Sequence, residues 1–267
     1  MLLLVPVNWA LESLKWRQLA NKVVPVSFWD AFRGTLTGLA VGVAAPAQLG
    51  DTIGRIAALR SDKRLQAIGA AIVSNGIQFY ISVVGGAFGW FFIQDHLTIT
   101  ENSRQLLNLL LFVIILLGWV VVLFRKRLMN WHPSRPYLQK LHCYLKIIAE
   151  YTAWDLLLST AYGTLRYFVF LTQFVLALSL FKFHLSWIEL GSCVALIFLA
   201  KTLIPAINVL GDLGLREFTA LFVFKQYNLP AEEIIAATFL IWIINVLGPI
   251  LIGIFLIWKY KWKNVIK

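Results

Sequence analysis

Pro46-Ala47-Gln48-Leu49-Gly50-Asp51-Thr52-Ile53-Gly54-Arg55 interrupts an otherwise apolar chain. Its Leu-Gly-Asp core returns 161 positions later in Pro205-Ala206-Ile207-Asn208-Val209-Leu210-Gly211-Asp212-Leu213-Gly214-Leu215-Arg216. In both copies an apolar segment too short to cross a bilayer runs into Pro, then Gly-Asp, then an Arg four residues after the Asp. Glycine permits a tight reversal there, and the Asp is suited to cap the returning helix. Each copy therefore reads as the tip of a helical hairpin, and the doubled phrase organises the rest of the chain.

The medium follows from composition. The 267 residues are 60% hydrophobic and 14% charged, with a mean hydropathy of +0.76, whereas soluble domains are about 45–50% apolar. This is the composition of an integral membrane protein, and eleven Trp and nineteen Phe suit a lipid-facing surface with interfacial aromatic anchors. Met1 is followed at once by apolar residues without a basic leader region, so the first segment is expected to be retained. The net charge of +11 lies in clusters between apolar spans rather than along one amphipathic face, which argues against nucleic acid as a partner. Cys143 and Cys193 are too far apart in sequence to suggest a disulfide framework. Among the four histidines only His132 with His142-Cys143 approaches a metal-ligand spacing, and it does not fit one; no metal or cofactor is expected.

Along the chain, Met1 to about Leu14 is shorter than the roughly 20 residues that span a bilayer, and Glu12, Lys15, Trp16, Arg17 and Lys22 read as its cytoplasmic margin. Residues 31–45 make an apolar piece of about 15 residues, roughly 22 Å if helical, again too short to cross. Beyond Gly50-Asp51 a helical pattern resumes toward Arg60, Lys63 and Arg64. Residues 65–93 read as a long span carrying Asn75, Gln78 and Tyr80, polar groups that in lipid need a helix partner or a wet cavity. Residues 105–124 are a plain span ended by Arg125-Lys126-Arg127. The segment 128–150 has the spacing of a basic amphipathic helix on the membrane surface, or of an ordinary cytoplasmic connector. Another span runs from about Tyr151 to Phe181, with Asp155 near its start and Arg166 in its middle. Residues 186–204, with Lys201 inside, lead into the second phrase, and Leu213 to Phe224 return from it. The last span, about 234–258, contains Asn245 and a kink at Gly248-Pro249.

Cation placement orients these segments. Of 24 Lys and Arg, seventeen fall in segments assigned to the cytoplasm and three, Arg104, Lys182 and Lys225, outside, as the positive-inside rule requires. Arg55, Arg166, Lys201 and Arg216 lie within membrane-associated segments. The first hairpin then enters from the cytoplasm and the second from the outside. The expected fold is an all-α polytopic membrane protein with five to six spanning helices and an inverted-topology repeat holding two re-entrant hairpins, about 31–60 and 186–226. Repeat 1 covers about 1–93, a linking helix and basic cytoplasmic segment about 105–150, and repeat 2 about 151–258. A basic tail, 259–267, ends the single transmembrane domain on the cytoplasmic side. Such repeats place broken helices near the bilayer midplane, where they bind polar solutes.

The four-residue spacing lets Asp51 pair with Arg55 and Asp212 with Arg216. Insertion scales put a lone Arg or Asp at mid-membrane at about 2.5–3.5 kcal/mol, so these residues need a compensating role. One role is to staple the hairpins; the other is to meet a phosphate-bearing headgroup, to which guanidinium is geometrically matched. Asn208 lies in the second phrase, and Glu217 beside Arg216 breaks the symmetry. Arg166 and Lys201 add buried positive charge that Asp155 and Glu150 are placed to balance; Glu12 and Arg33 are weaker candidates. No Walker sequence, metal cluster or Ser-His-Asp order is present, so neither catalysis nor ATP-driven transport is expected of these residues.

Asn8-Trp9-Ala10 with Lys15-Trp16, the Pro46-to-Arg55 phrase and above all Pro205 through Glu217 resemble the transmembrane region of lysylphosphatidylglycerol synthases, a flippase-like domain also found free-standing. The resemblance covers nearly the whole chain. It implies a bacterial or archaeal plasma-membrane protein that moves a lipid between leaflets, the lipid being aminoacylated phosphatidylglycerol in relatives that carry a cytoplasmic synthase domain. No such domain is evident in these residues and the N-terminal span looks shortened, so the substrate is left open: a phospholipid or a polyprenyl-phosphate lipid. Arg55, Arg216, Asp51, Asp212, Glu217, Asn208, Arg166 and Lys201 are the expected substrate contacts. The alternative is a non-transporting scaffold for a lipid-modifying or envelope-assembly partner, docked on the basic 125–146 segment; a homo-oligomer is a further possible assembly.

Overall fold

The computed structural model describes residues 1–42, 49–59, 64–128, 130, 134–181, 183–204 and 213–265. Eleven α-helices and short tighter or wider turns account for most of them, and no strand occurs among the described residues. Helix α1 (Leu4–Ala20) is followed by the short pair α2 (Phe28–Gly42) and α3 (Leu49–Ala57), then by α4 (Ile68–Ile93) and α5 (Glu101–Leu128). A short α6 (Pro136–Leu145) leads to α7 (Ala153–Ser179), and a second short pair follows, α8 (Trp187–Leu203) and α9 (Leu215–Phe224). The chain ends with α10 (Ala231–Trp242), a π-helical turn over Ile243–Leu247, and α11 (Gly248–Val265). The turn stands just before Gly248-Pro249, because proline at 249 cannot donate the regular helix bond and the ladder widens ahead of it.

Among the described residues, four stretches are long and apolar enough to cross a membrane: Ile68–His96, Glu101–Arg127, Ala153–Ser179 and Ala231–Lys259. This is fewer than the five to six expected, since α1, α2, α3, α8 and α9 each hold 17 residues or fewer. Helix α5 is the most lipid-like. It meets α4 through the Tyr80 hydroxyl, which donates to the Ile115 carbonyl at 3.2 Å, and Trp90 Nε1, which donates to Asn108 at 2.7 Å, while Phe112, Leu117, Trp119 and Leu123 are exposed.

Helix α1 runs antiparallel to α7. At one end Gln173 Nε2 donates to the Met1 carbonyl, and at the other the Tyr151 hydroxyl donates to the Leu19 carbonyl. Thr152 and Asp155 form a reciprocal cap on α7, as Ser186 and Glu189 do on α8, each leaving fewer orphan amides at a helix start. Asp155 thus serves the end of its helix, where Lys22 at 3.0 Å and Gln18 at 3.1 Å also reach it.

Glycines set the approach of α3 to α2. A Cβ on Gly54 would fall 2.6 Å from Gly38 Cα and 2.8 Å from the Thr37 carbonyl oxygen, and a Cβ on Gly38 would meet Asp51 Oδ1 at 2.7 Å. Small residues at such a seam let helix backbones nearly touch. Helix α11 covers the outer side of α2, with Gly253 against Leu36 and Ala40.

Two apolar cores result. One gathers Trp16, Leu19, Ala20, Val26, Ala31, Leu59, Ala67 and Tyr151; the larger joins α4, α7, α8, α9 and α10 around Trp90, Phe174, Ile197, Phe224 and Ile241. The margin expected at Glu12, Lys15 and Trp16 is corrected here. Helix α1 continues to Ala20, Trp16 and Lys15 are wholly buried, and Glu12 is 4% exposed. The tertiary reason is that α2, α4 and α7 all pack against α1.

Candidate functional site

Glu12 stands at the centre of a buried ion cluster. Its Oε2 lies 2.9 Å from Lys15 Nζ and 3.1 Å from Arg166 Nε, and its Oε1 lies 2.9 Å from Arg55 Nη2. Arg55 also grips Asp51, with Nε donating to Oδ1 at 3.0 Å and Nη2 at 2.9 Å from Oδ2. The i,i+4 pair read from the first phrase is therefore formed, and its Arg reaches on to a second carboxylate from another helix.

Three helices deliver the five charged residues. Helix α1 supplies Glu12 and Lys15 one turn apart, α3 supplies Asp51 and Arg55, and α7 supplies Arg166 from midway along its 27 residues. Helix α4 contributes Gln78, whose Oε1 accepts from Lys15 Nζ at 3.1 Å. Gln78 and Asn75, which lies 3.5 Å from the Thr52 hydroxyl, thus find the helix partners that polar groups in a membrane require. Trp16 forms the floor, its ring centroid 5.8 Å from the Arg55 guanidinium carbon, a cation–π contact strengthened by the absence of water.

Formal charges decide what the cluster can do. Three cations, Lys15, Arg55 and Arg166, face two carboxylates, Glu12 and Asp51, leaving one positive charge in excess. Arg55 Nη1 is buried with no hydrogen-bond partner, as are Trp16 Nε1, Ser74 Oγ and Ser159 Oγ. The Arg166 side chain keeps 28% of its surface exposed, against 5% for those of Glu12 and Arg55. The arrangement offers donors and surplus positive charge at mid-depth of a helix that can cross the membrane, with one arginine still open to the outside of the cluster. That is anion-binding chemistry.

The other sequence candidates divide. Arg216 is 2% exposed at the start of α9, a helix that packs on α8 and α10. Glu217 Oε2 accepts from the Gly214 amide at 2.6 Å, where Gly214 has φ +95°, so this carboxylate caps α9. Lys201 is exposed rather than buried, and Arg33 and Glu150 are exposed as well. Asn208 and Asp212, like most of the second phrase, lie outside the described residues. Because the apolar run ends near Leu14, Glu12 and Lys15 read from sequence as residues of an interface. The continuing signal was Leu19-Ala20, which extends the helical period past both. Cys143 and Cys193 are free thiols, and no group of three potential metal ligands occurs among the described residues.

A helical bundle with four potential spans among its described residues and a charged cluster enclosed between short and long helices defines a polytopic membrane protein. Within that class, the family model described as the lysylphosphatidylglycerol synthase transmembrane region matches residues 1–253, and the chain belongs to this family. No curated protein and no solved structure matches it.

Proposed function

We propose that the protein is a flippase-like lipid translocase that moves an anionic, phosphate-bearing lipid between leaflets of the plasma membrane. The observation that carries this is the Glu12 cluster, which holds one more cation than carboxylate at mid-depth and leaves Arg166 partly open. Family membership points in the same direction, toward a lipid-related membrane role.

An inverted repeat fits the pattern of packing. The first helices of the two halves, α1 and α7, run antiparallel. Helix α4 packs on α8 as the α10–α11 unit packs on α2 through α11, and α1 meets α4 as α7 meets α10. A re-entrant first hairpin is supported by Val26 just ahead of α2 and Ala31 in its first turn sharing one core with Leu59 just beyond α3. In the second hairpin, Tyr227 beyond α9 stacks on His96 at the end of α4, 6.2 Å between centroids. The returning helix α9 would bring Arg216 toward the midplane from the other side, so that Arg55 and Arg216 receive the phosphate in turn.

The test is lipid movement. Protein in liposomes should accelerate exchange of a fluorescent anionic phospholipid or polyprenyl-phosphate lipid, and Arg55→Ala or Arg216→Ala should each slow it about tenfold, as expected for a lost charge-assisted hydrogen bond. Rates equal to those of protein-free liposomes across a lipid panel would refute the proposal. The scaffold alternative draws on α6, where Tyr137 and Tyr144 are exposed beside basic residues. It would prevail if charge reversal across 125–146 abolished cellular function while both Arg→Ala variants were silent.

A further inference from the structure

The surplus positive charge of the Glu12 cluster hangs on one proton. Of its three cations only Lys15 can discard its charge, since a guanidinium stays protonated in proteins whereas a buried ammonium can become an amine. Lys15 is 0% exposed, and its surroundings suit the amine. Its Nζ donates to Gln78 Oε1 at 3.1 Å and lies 2.9 Å from Glu12 Oε2. These are two acceptors for the two hydrogens of an amine, where an ammonium has three to place. Glu12 is also shared: Arg166 Nε lies 3.1 Å from the same Oε2, and Arg55 Nη2 takes Oε1 at 2.9 Å. Two fixed cations thus compete with Lys15 for one carboxylate.

No other helix relieves that competition among the described residues. Helix α3 brings Asp51, which is held by Arg55, and α4 brings the neutral Gln78 and Asn75. On α2, Thr35 accepts from Ser13, Asp30 is held by Ser27, and Arg33 is exposed. The remaining carboxylate on the α1 side of α7, Asp155, lies at the helix start with Lys22.

We infer that Lys15 carries a proton in step with the lipid: it is a neutral amine in the empty site, and entry of a phosphate with one negative charge makes it take up one proton from water. The inference rests on the translocase proposed above and gives that translocase a coupling ion. Its physical basis is that net charge is costly in a low-dielectric interior. Empty, the site holds Arg55 and Arg166 against Glu12 and Asp51. Loaded, it holds the same four charges with the phosphate and the Lys15 ammonium. Both states are neutral, so one proton and one lipid anion cross in the same direction and no net charge moves. Ser159 offers the proton a polar step toward the end of the bundle. Its Oγ is buried without a partner, one helical turn from Asp155 and one from Gly163, where a Cβ would lie 3.5 Å from Lys15 Cδ.

The first measurement is titration calorimetry of the full chain in detergent with dihexanoyl phosphatidylglycerol, in buffers of different ionisation enthalpy, across roughly pH 6–9. The dependence of the binding heat on the buffer counts protons. Uptake approaching one proton per lipid is expected at the alkaline end, falling toward zero at the acid end, with affinity weakening by up to about tenfold per pH unit as pH rises, the limit for one linked proton. Lys15→Arg, which keeps the charge but cannot release it, should bind without proton uptake and with an affinity independent of pH. Lys15→Met should also take up none and bind about tenfold more weakly, the unfolding midpoint checking that each variant folds. Zero uptake by the unmodified protein at every pH would overturn the inference, as would uptake surviving in both variants, which would move the proton to a carboxylate.

The second measurement separates coupling from transport. In vesicles, a pH gradient should drive fluorescent phosphatidylglycerol toward the alkaline leaflet, by about tenfold for each pH unit, the free energy of one proton. A potassium potential set with valinomycin should not. Lipid movement indifferent to the pH gradient would overturn the coupling and leave the translocase standing. Proton uptake on binding in a protein that moves no lipid would refute the translocase and support the Lys15 linkage.

Discussion

Replacing Glu12 by Ala is expected to destabilise the protein by about 3–5 kcal/mol, the range for removing one partner of a buried ion pair. The cost is large because three cations converge on this carboxylate at 2.9–3.1 Å. Without it Lys15 keeps only Gln78 and Arg166 loses its counter-charge, so mutual repulsion adds to desolvation. Thermal unfolding in detergent micelles would show this as a midpoint lowered by about 10 °C. The double variant Glu12→Gln with Lys15→Met should recover most of the loss, since it removes one charge of each sign and restores apolar volume beside Gln78. An unchanged midpoint in Glu12→Ala would show that water or lipid phosphate already neutralises the cations.

The second large effect is expected at the α2–α3 seam. Leu in place of Gly54 must displace backbone, with Gly38 Cα at 2.6 Å, Gly38 N at 2.8 Å and the Thr37 carbonyl oxygen at 2.8 Å from the added Cβ. Overpacking typically costs about 1–3 kcal/mol, and here the displaced helix also carries Arg55. Loss of lipid movement together with a lower unfolding midpoint is therefore expected. Gly76→Leu is the matched control, because a Cβ at Gly76 meets nothing within 4 Å, and it should leave both measurements near those of the unmodified protein. If the two variants behave alike, the seam is not the element that positions Arg55.

Local chemistry was legible from spacing. The four-residue interval from Asp51 to Arg55 forms the ion pair read from it, and the need of Gln78 for a helix partner is met by Lys15. Helix starts at Thr152 and Ser186 likewise follow from short-range capping groups. What spacing does not carry is long-range. Lys15 and Gln78 are 63 positions apart, and Glu12 meets Arg166 across an even longer interval. A charged residue near the end of a short apolar run is ambiguous between an interface and a core until its neighbours are known.

Sequence by itself determined the membrane medium, the repeated phrase with the Asp51–Arg55 pair of its first copy, the order of short and long helices, and membership of the lysylphosphatidylglycerol synthase transmembrane family. These rest on composition, periodicity and contacts within one or two helical turns, which the chain carries locally. Tertiary structure alone decided that Glu12 rather than Asp51 is the hub, that Lys201 is exposed, and that a groove floored by Tyr167 runs beside the cluster. Those outcomes depend on which helix faces are brought together, and α1 is buried by α2, α4 and α7 although its own pattern marks no such face.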